Sequence, residues 1–351
     1  MTHPPMPYPV AAIGEFDLIE RLHRVLGSSP RRDVLHGIGD DTAVLGTGDP
    51  LWLATVDSHV DGVHFLSPII TPEQLGWRAM AVNLSDIAAM GGQALYALIA
   101  LLLPPETDVA WLERVYRGVQ QAATQYGVAI VGGNISRLPE RVVLDVTVIG
   151  QVRRTQLLLR AGAQVGDLVL VTGDLGAGAA GLLVAREHLD GAGALHTALS
   201  ACEREALLLR YVKPTPRLPE AAIIAASGSA TAMLDVSDGL SSDMGHICQQ
   251  SGVGVRLDST ALPLAPLTHR AAHAVGRSPL DLALAGGDDY ELCFTVAAPA
   301  APALIAAVQG ATGTPVTIIG EIVPAAHGRS IVLDDGQPVA LDARGWQHFQ
   351  G

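Results

Sequence analysis

The sequence predicts an α/β protein of two mixed α/β domains. Three observations carry this: apolar runs of strand length alternate with segments of helical period, the alternation restarts after residue 152, and 351 residues suffice for two domains of ordinary size. Residues 1–152 form the first predicted domain. "LWLATVDSHV" (51–60) reads as a strand. Thr71, Pro72 and Gln74 then supply an N-cap, a first-turn proline and the far end of a capping box, and Gly91 and Gly92 a stop, so a helix is predicted over 72–90. "ALYALIALLL" (94–103) is the next strand, Asp108 to Tyr126 a helix closed by Gly127, and "VAIVGG" and "RVVLDVTVIGQV" two further strands. "RTQLLLRAGAQVGD" leads into the second predicted domain, 153–351, which opens with the strand "LVLVTG". There "TAMLDVSDGLSSDMGHI" runs from strand into helix, and "GGDDYELCFTV" from a glycine turn into strand.

Composition narrows the function. Apolar residues make up 49% of the chain and charged residues 16%, proportions that suit large cores. A net charge of -13 argues against non-specific binding of nucleic acid or anionic membrane, which wants a basic surface. It leaves anionic ligands open, because carboxylates hold phosphates through divalent ions. Cys202, Cys248 and Cys293 are odd in number and widely spaced, as in a reducing compartment. With no leader-like N-terminus and no apolar run of bilayer length, a soluble cytoplasmic protein is expected. Lys213 is the sole lysine, which excludes both the phosphate-binding Gly-x-x-x-x-Gly-Lys loop and the strand lysine of protein kinases.

Four acidic stretches share one design, an aspartate where a strand or glycine turn meets another element. They hold Asp40 and Asp41 in "GIGDDTAVL", Asp57 in "ATVDSHVDGVHF", Asp86 in "NLSD", and Asp235 and Asp238 in "LDVSDGL". Taken singly, Asp40 and Asp41 read equally as turn residues and Asp238 as an N-cap. Asp86 is the sharper case. It falls within the apolar stripe of Leu75, Ala79, Val82 and Met90, and a buried carboxylate stays ionised only beside a cation or several donors. Together the aspartates suit a hard cation such as magnesium, which takes oxygen ligands.

Glycine-rich stretches offer a second chemistry. "GGNISR", with Arg137, is expected to form a turn whose N–H groups make an anion nest. Gly176, Gly178 and Gly181 in "TGDLGAGAAG" have dinucleotide-site spacing, but no strand with an acidic end follows at the required distance, so close helix packing is the expected role. "KPTPR", with Lys213 and Arg217, reads as a basic, solvated loop. His64 is a core histidine or a ligand contact, and His246 is expected to be structural.

Assembled, these stretches resemble the thiamine-monophosphate kinase family, within the wider group that includes aminoimidazole ribonucleotide synthetase and selenophosphate synthetase. The matching segments run in order through "GEFDLIERL", "GIGDDTAVL", "DGVHF", "GWRAMAVNLSDIAAMGG", "GGNISR", "LRAGAQVGD", "VTGDLGAGAAGLL", "KPTPR", "LDVSDGLSSDMGHI", "GGDDYELCFTV" and "GWQHF". The resemblance implies two α/β domains of the aminoimidazole ribonucleotide synthetase-like type, the N-terminal one holding ATP and metal and pairing with its copy in a homodimer. It implies γ-phosphoryl transfer from ATP to thiamine monophosphate, assisted by several magnesium ions. Carried over by motif, the metal positions are Asp41, Thr55, Val56, Asp57, Asp86, Asn134, Asp235 and Asp238. Of these, Asp41, Asp57, Asp86 and Asp238 carry catalysis. Gly133, Asn134, Arg160 and Ser237 are the nucleotide positions, and His64, Asp288 and Trp346 the thiamine-phosphate positions. Two residues depart from the family pattern: Asn134 replaces an aspartate, which predicts weaker magnesium affinity, and Asp288 replaces a glutamate. The alternatives are a related ATP-using synthetase, a non-catalytic nucleotide- and metal-binding protein, and a metal-dependent phosphohydrolase.

Overall fold

The structure, a computed structural model, describes residues 15–27, 31–191 and 193–342. After helix α1 (Glu15–Leu26) the chain builds β1 (Val34–His36), β2 (Ala43–Leu45), β3 (Leu51–Val60), α2 (Pro72–Ala89), β4 (Gln93–Leu103), α3 (Val109–Tyr126), β5 (Ala129–Arg137) and β6 (Val143–Val152). These strands form a six-stranded sheet of order β1-β2-β3-β6-β4-β5, antiparallel except for the parallel β4–β5 pair. The helix starts are those the sequence predicts. Thr71 and Gln74 close a reciprocal capping box on α2, Asp108 caps α3, and Gly127 ends α3 in the left-handed region.

The second set of elements comprises β7 (Asp167–Thr172), α4 (Ala177–Asp190), α5 (Ala194–Ala198), α6 (Ala201–Val212), α7 (Leu218–Ser227), β8 (Ala230–Val236), α8 (Leu240–Ser251) and β9 (Val253–Asp258). It continues with α9 (Pro266–Ala274), α10 (Pro279–Ala285), β10 (Glu291–Ala297), α11 (Ala301–Thr312), β11 (Val316–Pro324), β12 (Arg329–Val332) and β13 (Pro338–Ala340). Its seven-stranded sheet has the order β13-β12-β9-β11-β7-β10-β8 and is antiparallel except between β9 and β12. Both faces are covered: Val169, Val171, Leu234 and Val236 pack with Leu240 and Met244, while Leu170, Met233 and Phe294 pack with Ile224 and Leu304. Coverage on both sides makes "LVLV" and "AMLDV" near-continuous apolar runs. Among the described residues no helix is long and apolar enough to cross a membrane.

Helix α2 joins the two halves, packing on β3 and β6 of the first sheet and on β8 and α7 of the second half. Its apolar character is therefore wider than a single stripe. Every residue from Leu75 to Met90 is buried except Asp86, which reaches partly into a cleft. Contact with α3 is close enough to require glycine, since a Cβ on Gly76 would lie 1.9 Å from the Val115 carbonyl oxygen and one on Gly118 1.9 Å from that of Glu73. Backbone cannot move aside as a side chain can. Gly118→Ala is expected to cost about 3 kcal/mol, read as a lowered denaturant midpoint; an unchanged midpoint would mean that the two helices separate freely.

"GGNISR" is not a turn. Residues 129–137 form one strand, paired in parallel with β4 along its length, and a Cβ on Gly133 would sit 1.8 Å from the Ile99 carbonyl oxygen. The glycine there serves close strand approach. Arg137 is exposed on this edge strand and joins no anion nest.

Candidate active site

The two halves meet along a cleft of about 1740 Å³, above the ~300–1,000 Å³ of a single small-molecule site, so two substrates have room. β3 places Thr55 and Asp57 on its α2-facing side, α2 brings Asp86, the 37–42 loop brings Asp40 and Asp41, and the turn after β8 brings Ser237 and Asp238. Asp41, Asp86 and Asp235 each offer a carboxylate oxygen, and the three oxygens lie within 4.8 Å of one another. The Thr55 hydroxyl donates to Asp86 Oδ2 at 2.6 Å, the Ser85 hydroxyl to Asp235 Oδ2 at 2.5 Å, and the Asp57 N–H to Asn83 Oδ1 at 3.1 Å. Arg160 is the counter-charge. Its Nη2 is ion-paired with Asp41 Oδ1, its Nε donates to the same oxygen at 3.1 Å, and its main-chain N–H donates to Asp40 Oδ2 at 3.3 Å.

One guanidinium does not balance this many acids. Burial, then Asp57, Asp235 and Asp41, holds the Asp86 carboxyl well above the usual range. Burial and Asp41 push Asp235 up to about 7, and burial followed by Glu15 pushes Asp238 up to about 7. Asp40 is raised to about 6 by burial and Asp41. Asp41 Oδ2 is buried with no hydrogen-bond partner. An all-oxygen donor set with an orphaned carboxylate oxygen and a surplus of negative charge fits a hard divalent cation.

The sign of the pH dependence follows. Carboxyls whose folded pKa exceeds the unfolded value, ~4 for Asp, stabilise the fold fully below that value and lose the contribution as pH rises toward about 7. The chelated protein is therefore expected to melt at progressively lower temperature between roughly pH 5 and 7, and added magnesium to raise the midpoint more at about pH 8 than at about pH 5.5. Equal magnesium shifts at both pH values would count against metal binding by these groups.

The other end of the cleft differs. His64, Tyr211, Asp288 and Tyr290 line it, and Arg78, only 4% exposed, donates to Asp288 Oδ1 at 2.5 Å and to the Tyr211 carbonyl at 2.5 Å. His64 Nδ1 accepts from the Val60 N–H at 3.1 Å. His246, expected to be structural, also lines the cleft, at the Arg160 end; burial, then Arg160 and Arg329, lowers its pKa to about 4.

Several expectations change in this setting. Asp238 is not an N-cap; Gly239 occupies that position, and the Asp243 carboxylate accepts the Gly239 N–H. Val56 points its apolar side chain to the opposite face of β3 from Thr55 and Asp57, and its carbonyl is the oxygen it can offer. Gly133 and Asn134 lie on β5, outside the cleft lining, and Asn134 Nδ2 donates to Ser136 Oγ at 3.0 Å. β5 is three strands from β3, on the order of 14 Å away. Trp346 lies outside the described residues. The glycines of "TGDLGAGAAG" do serve packing: Cβ atoms on Gly178 and Gly181 would lie 2.2 Å from the Asp288 and Leu207 carbonyl oxygens. The N-terminus of α4 is filled from within, as Asp289 accepts the Gly176 and Gly178 N–H groups at 2.7 and 3.0 Å. "KPTPR" is not a solvated loop. Arg217 is inserted against buried Glu291 with contacts of 2.5 and 2.6 Å, and Lys213 lies 4.3 Å from the Trp77 ring centroid.

Sequence reasoning passed over Arg78, Ser85, Asn83 and Tyr290. Three of them sit on α2 with Asp86, and a polar residue in a helix that is otherwise apolar all round is the signal that marks them.

Comparison with known proteins agrees with this architecture. Residues 39–152 match the AIR synthase related protein, N-terminal domain, and residues 164–333 its C-terminal domain. The thiamine-monophosphate kinase of Escherichia coli K12 is 39% identical over 339 residues, covering 96% of this chain and 99% of the relative; that of Aquifex aeolicus is 35% identical over 340 residues, covering 96% and 98%. The solved structure of AaThiL complexed with AMPPCP and TMP has a TM-score of 0.81 and 33% identity, covering 98% of this chain and 99% of that one. With both domains matched and nearly the full length aligned, the chain belongs to the thiamine-monophosphate kinase family of AIR synthase related proteins.

Proposed function

We propose that this enzyme phosphorylates thiamine monophosphate with ATP, giving thiamine diphosphate and ADP by in-line transfer in the cleft between its two halves. The carboxylate cluster of Asp41, Asp86 and Asp235 with Arg160 at its edge is the observation that carries the reading, together with the kinase names of full-length relatives and an ATP-analogue complex in a structural neighbour.

Asp41, Thr55, the main chain of Val56, Asp57, Asp86, Asp235 and Asp238 would hold the magnesium ions. When bound, these would neutralise phosphate charge and polarise phosphoryl oxygens. Arg160 neutralises further charge at the nucleotide end, beside Ser237. The acceptor needs no strong base, because a phosphate monoester with a second pKa of about 6 is already largely dianionic at neutral pH. His64 and Asp288 bind the acceptor at the far end, and the cleft walls hold the two substrates in line.

A homodimer completes the reading. The first sheet leaves a face with Trp52, Val56 and Tyr96 exposed and an edge strand with Val131 and Ile135 exposed, an apolar surface suited to a second copy. Since Gly133 and Asn134 sit on that edge strand and not in their own cleft, their nucleotide and metal roles would be exercised in the paired chain's site. Asn134→Asp is expected to lower the magnesium concentration needed for half-maximal turnover; an unchanged requirement would remove Asn134 from the metal set.

Product analysis tests the whole proposal. Protein mixed with ATP, thiamine monophosphate and magnesium is expected to yield thiamine diphosphate, and a chelated control none. ADP without thiamine diphosphate would point instead to phosphohydrolysis, and bound ATP without any product to a non-catalytic homologue.

A further inference from the structure

Building on the kinase reading, we infer that Arg78 is a positioning residue for the acceptor, acting through Asp288. Its guanidinium is nearly fully buried, and burying a charge is expensive enough that an apolar residue would serve α2 packing at least as well. It is not placed for its own satisfaction, because Nε is buried without a hydrogen-bond partner. Both terminal nitrogens reach across from α2 to cleft-lining residues of the second half, Tyr211 and Asp288, and the guanidinium carbon lies 4.6 Å from the Tyr211 ring centroid.

The consequence falls on one carboxylate. Asp288 Oδ1 takes both the Arg78 N–H and the Tyr290 hydroxyl, at 2.5 and 3.0 Å. Oδ2 receives no hydrogen bond among the described residues, and the side chain is 22% exposed to the cleft. The two internal donors thus turn the second oxygen toward the acceptor, ready for a cationic or N–H donor group away from its phosphate. The backbone is committed to the same end. Asp288 and Tyr290 both have positive φ, 62° and 54°, a conformation strained for non-glycine residues. Their N–H groups are tied at 2.8 Å to the carbonyls of Ser237 and Val236, next to Asp235 and Asp238. Arg78 and Asp86 lie eight residues apart on one buried helix, about 12 Å along its axis, so α2 spaces the acceptor's far end from the carboxylate cluster.

Steady-state kinetics of the full-length enzyme test this, with each substrate varied separately. Arg78→Lys, which keeps the charge but loses the two-armed reach, is expected to raise KM for thiamine monophosphate about tenfold, leaving KM for ATP and kcat within about twofold. The effect should vanish in an Asp288→Ala background, where no side-chain oxygen remains for Arg78 to act on. Equal losses toward both substrates, or an effect that adds in full to Asp288→Ala, would overturn the inference. Should Arg78→Lys fail to fold, Tyr290→Phe removes only the hydroxyl; a severalfold rise in the same KM is expected, and no rise overturns the inference. If the wild-type enzyme forms no thiamine diphosphate, the kinase reading fails first and takes this inference with it.

Discussion

Replacing Asp86 by asparagine is expected to lower turnover by about 100- to 1,000-fold while raising the melting temperature of the chelated protein. The two effects have one origin. Asp86 shares a pocket with Asp41 and Asp235, and their oxygens are within 4.8 Å. Without a cation, burial and the three neighbouring carboxylates hold the Asp86 carboxyl well above its ordinary range, so its ionised form opposes folding. Asparagine keeps an oxygen for the Thr55 hydroxyl, now at 2.6 Å from Asp86 Oδ2, and removes the charge. On the proposed reading, the same removal takes away a cation ligand at the centre of the site. Magnesium should therefore stabilise the variant less than the wild type in thermal melts. Unaltered turnover, or a lower melting temperature in the presence of chelator, would exclude Asp86 from the metal set.

Arg217→Met is expected to destabilise the fold by about 3–5 kcal/mol in chemical denaturation. Arg217 Nη2 and Nε meet Glu291 Oε1 and Oε2 at 2.5 and 2.6 Å, and the Glu291 side chain is only 1% exposed. Thr172 also donates to Oε2, at 2.7 Å, while Arg210 reaches Oε1 at 3.3 Å and is held by Asp174 at 2.7 Å. Removing Arg217 strands most of the Glu291 charge in the interior. Replacing both partners, Arg217→Met with Glu291→Met, removes that charge and should recover much of the loss. A double variant no more stable than Arg217→Met would mean that packing, not charge, sets the cost.

The caps of α2 and α3 were readable from local sequence, because capping boxes and left-handed glycines act within four or five residues. The acidic motifs were readable for a related reason: Asp40, Asp41 and Asp238 stand in turns and Asp235 next to the end of β8, while Asp57 inside β3 and Asp86 in the last turn of α2 stand out as charges in apolar runs of a low-charge chain. Arg78 and Asp288 were not readable as partners, since 210 positions separate them and only the docking of α2 against the second half brings them to 2.5 Å. Asp289 was equally hidden, as "TGDLGAGAAG" does not reveal which carboxylate will fill its N–H groups. The glycine pair in "GGNISR" was misleading, because a glycine needed for close strand approach and one needed for a turn look the same in one dimension.

Sequence alone therefore determined the family resemblance, the mixed α/β class and most of the acidic residues at the centre of the cleft, all carried by short motifs and local periodicity. Tertiary structure alone decided which carboxylates share a pocket, that Asn134 lies on an edge strand outside it, and that Arg217 pairs with buried Glu291. These turn on distance and dielectric between elements far apart in the chain, and a carboxylate's chemistry depends on the charges and burial around it more than on its immediate neighbours in sequence.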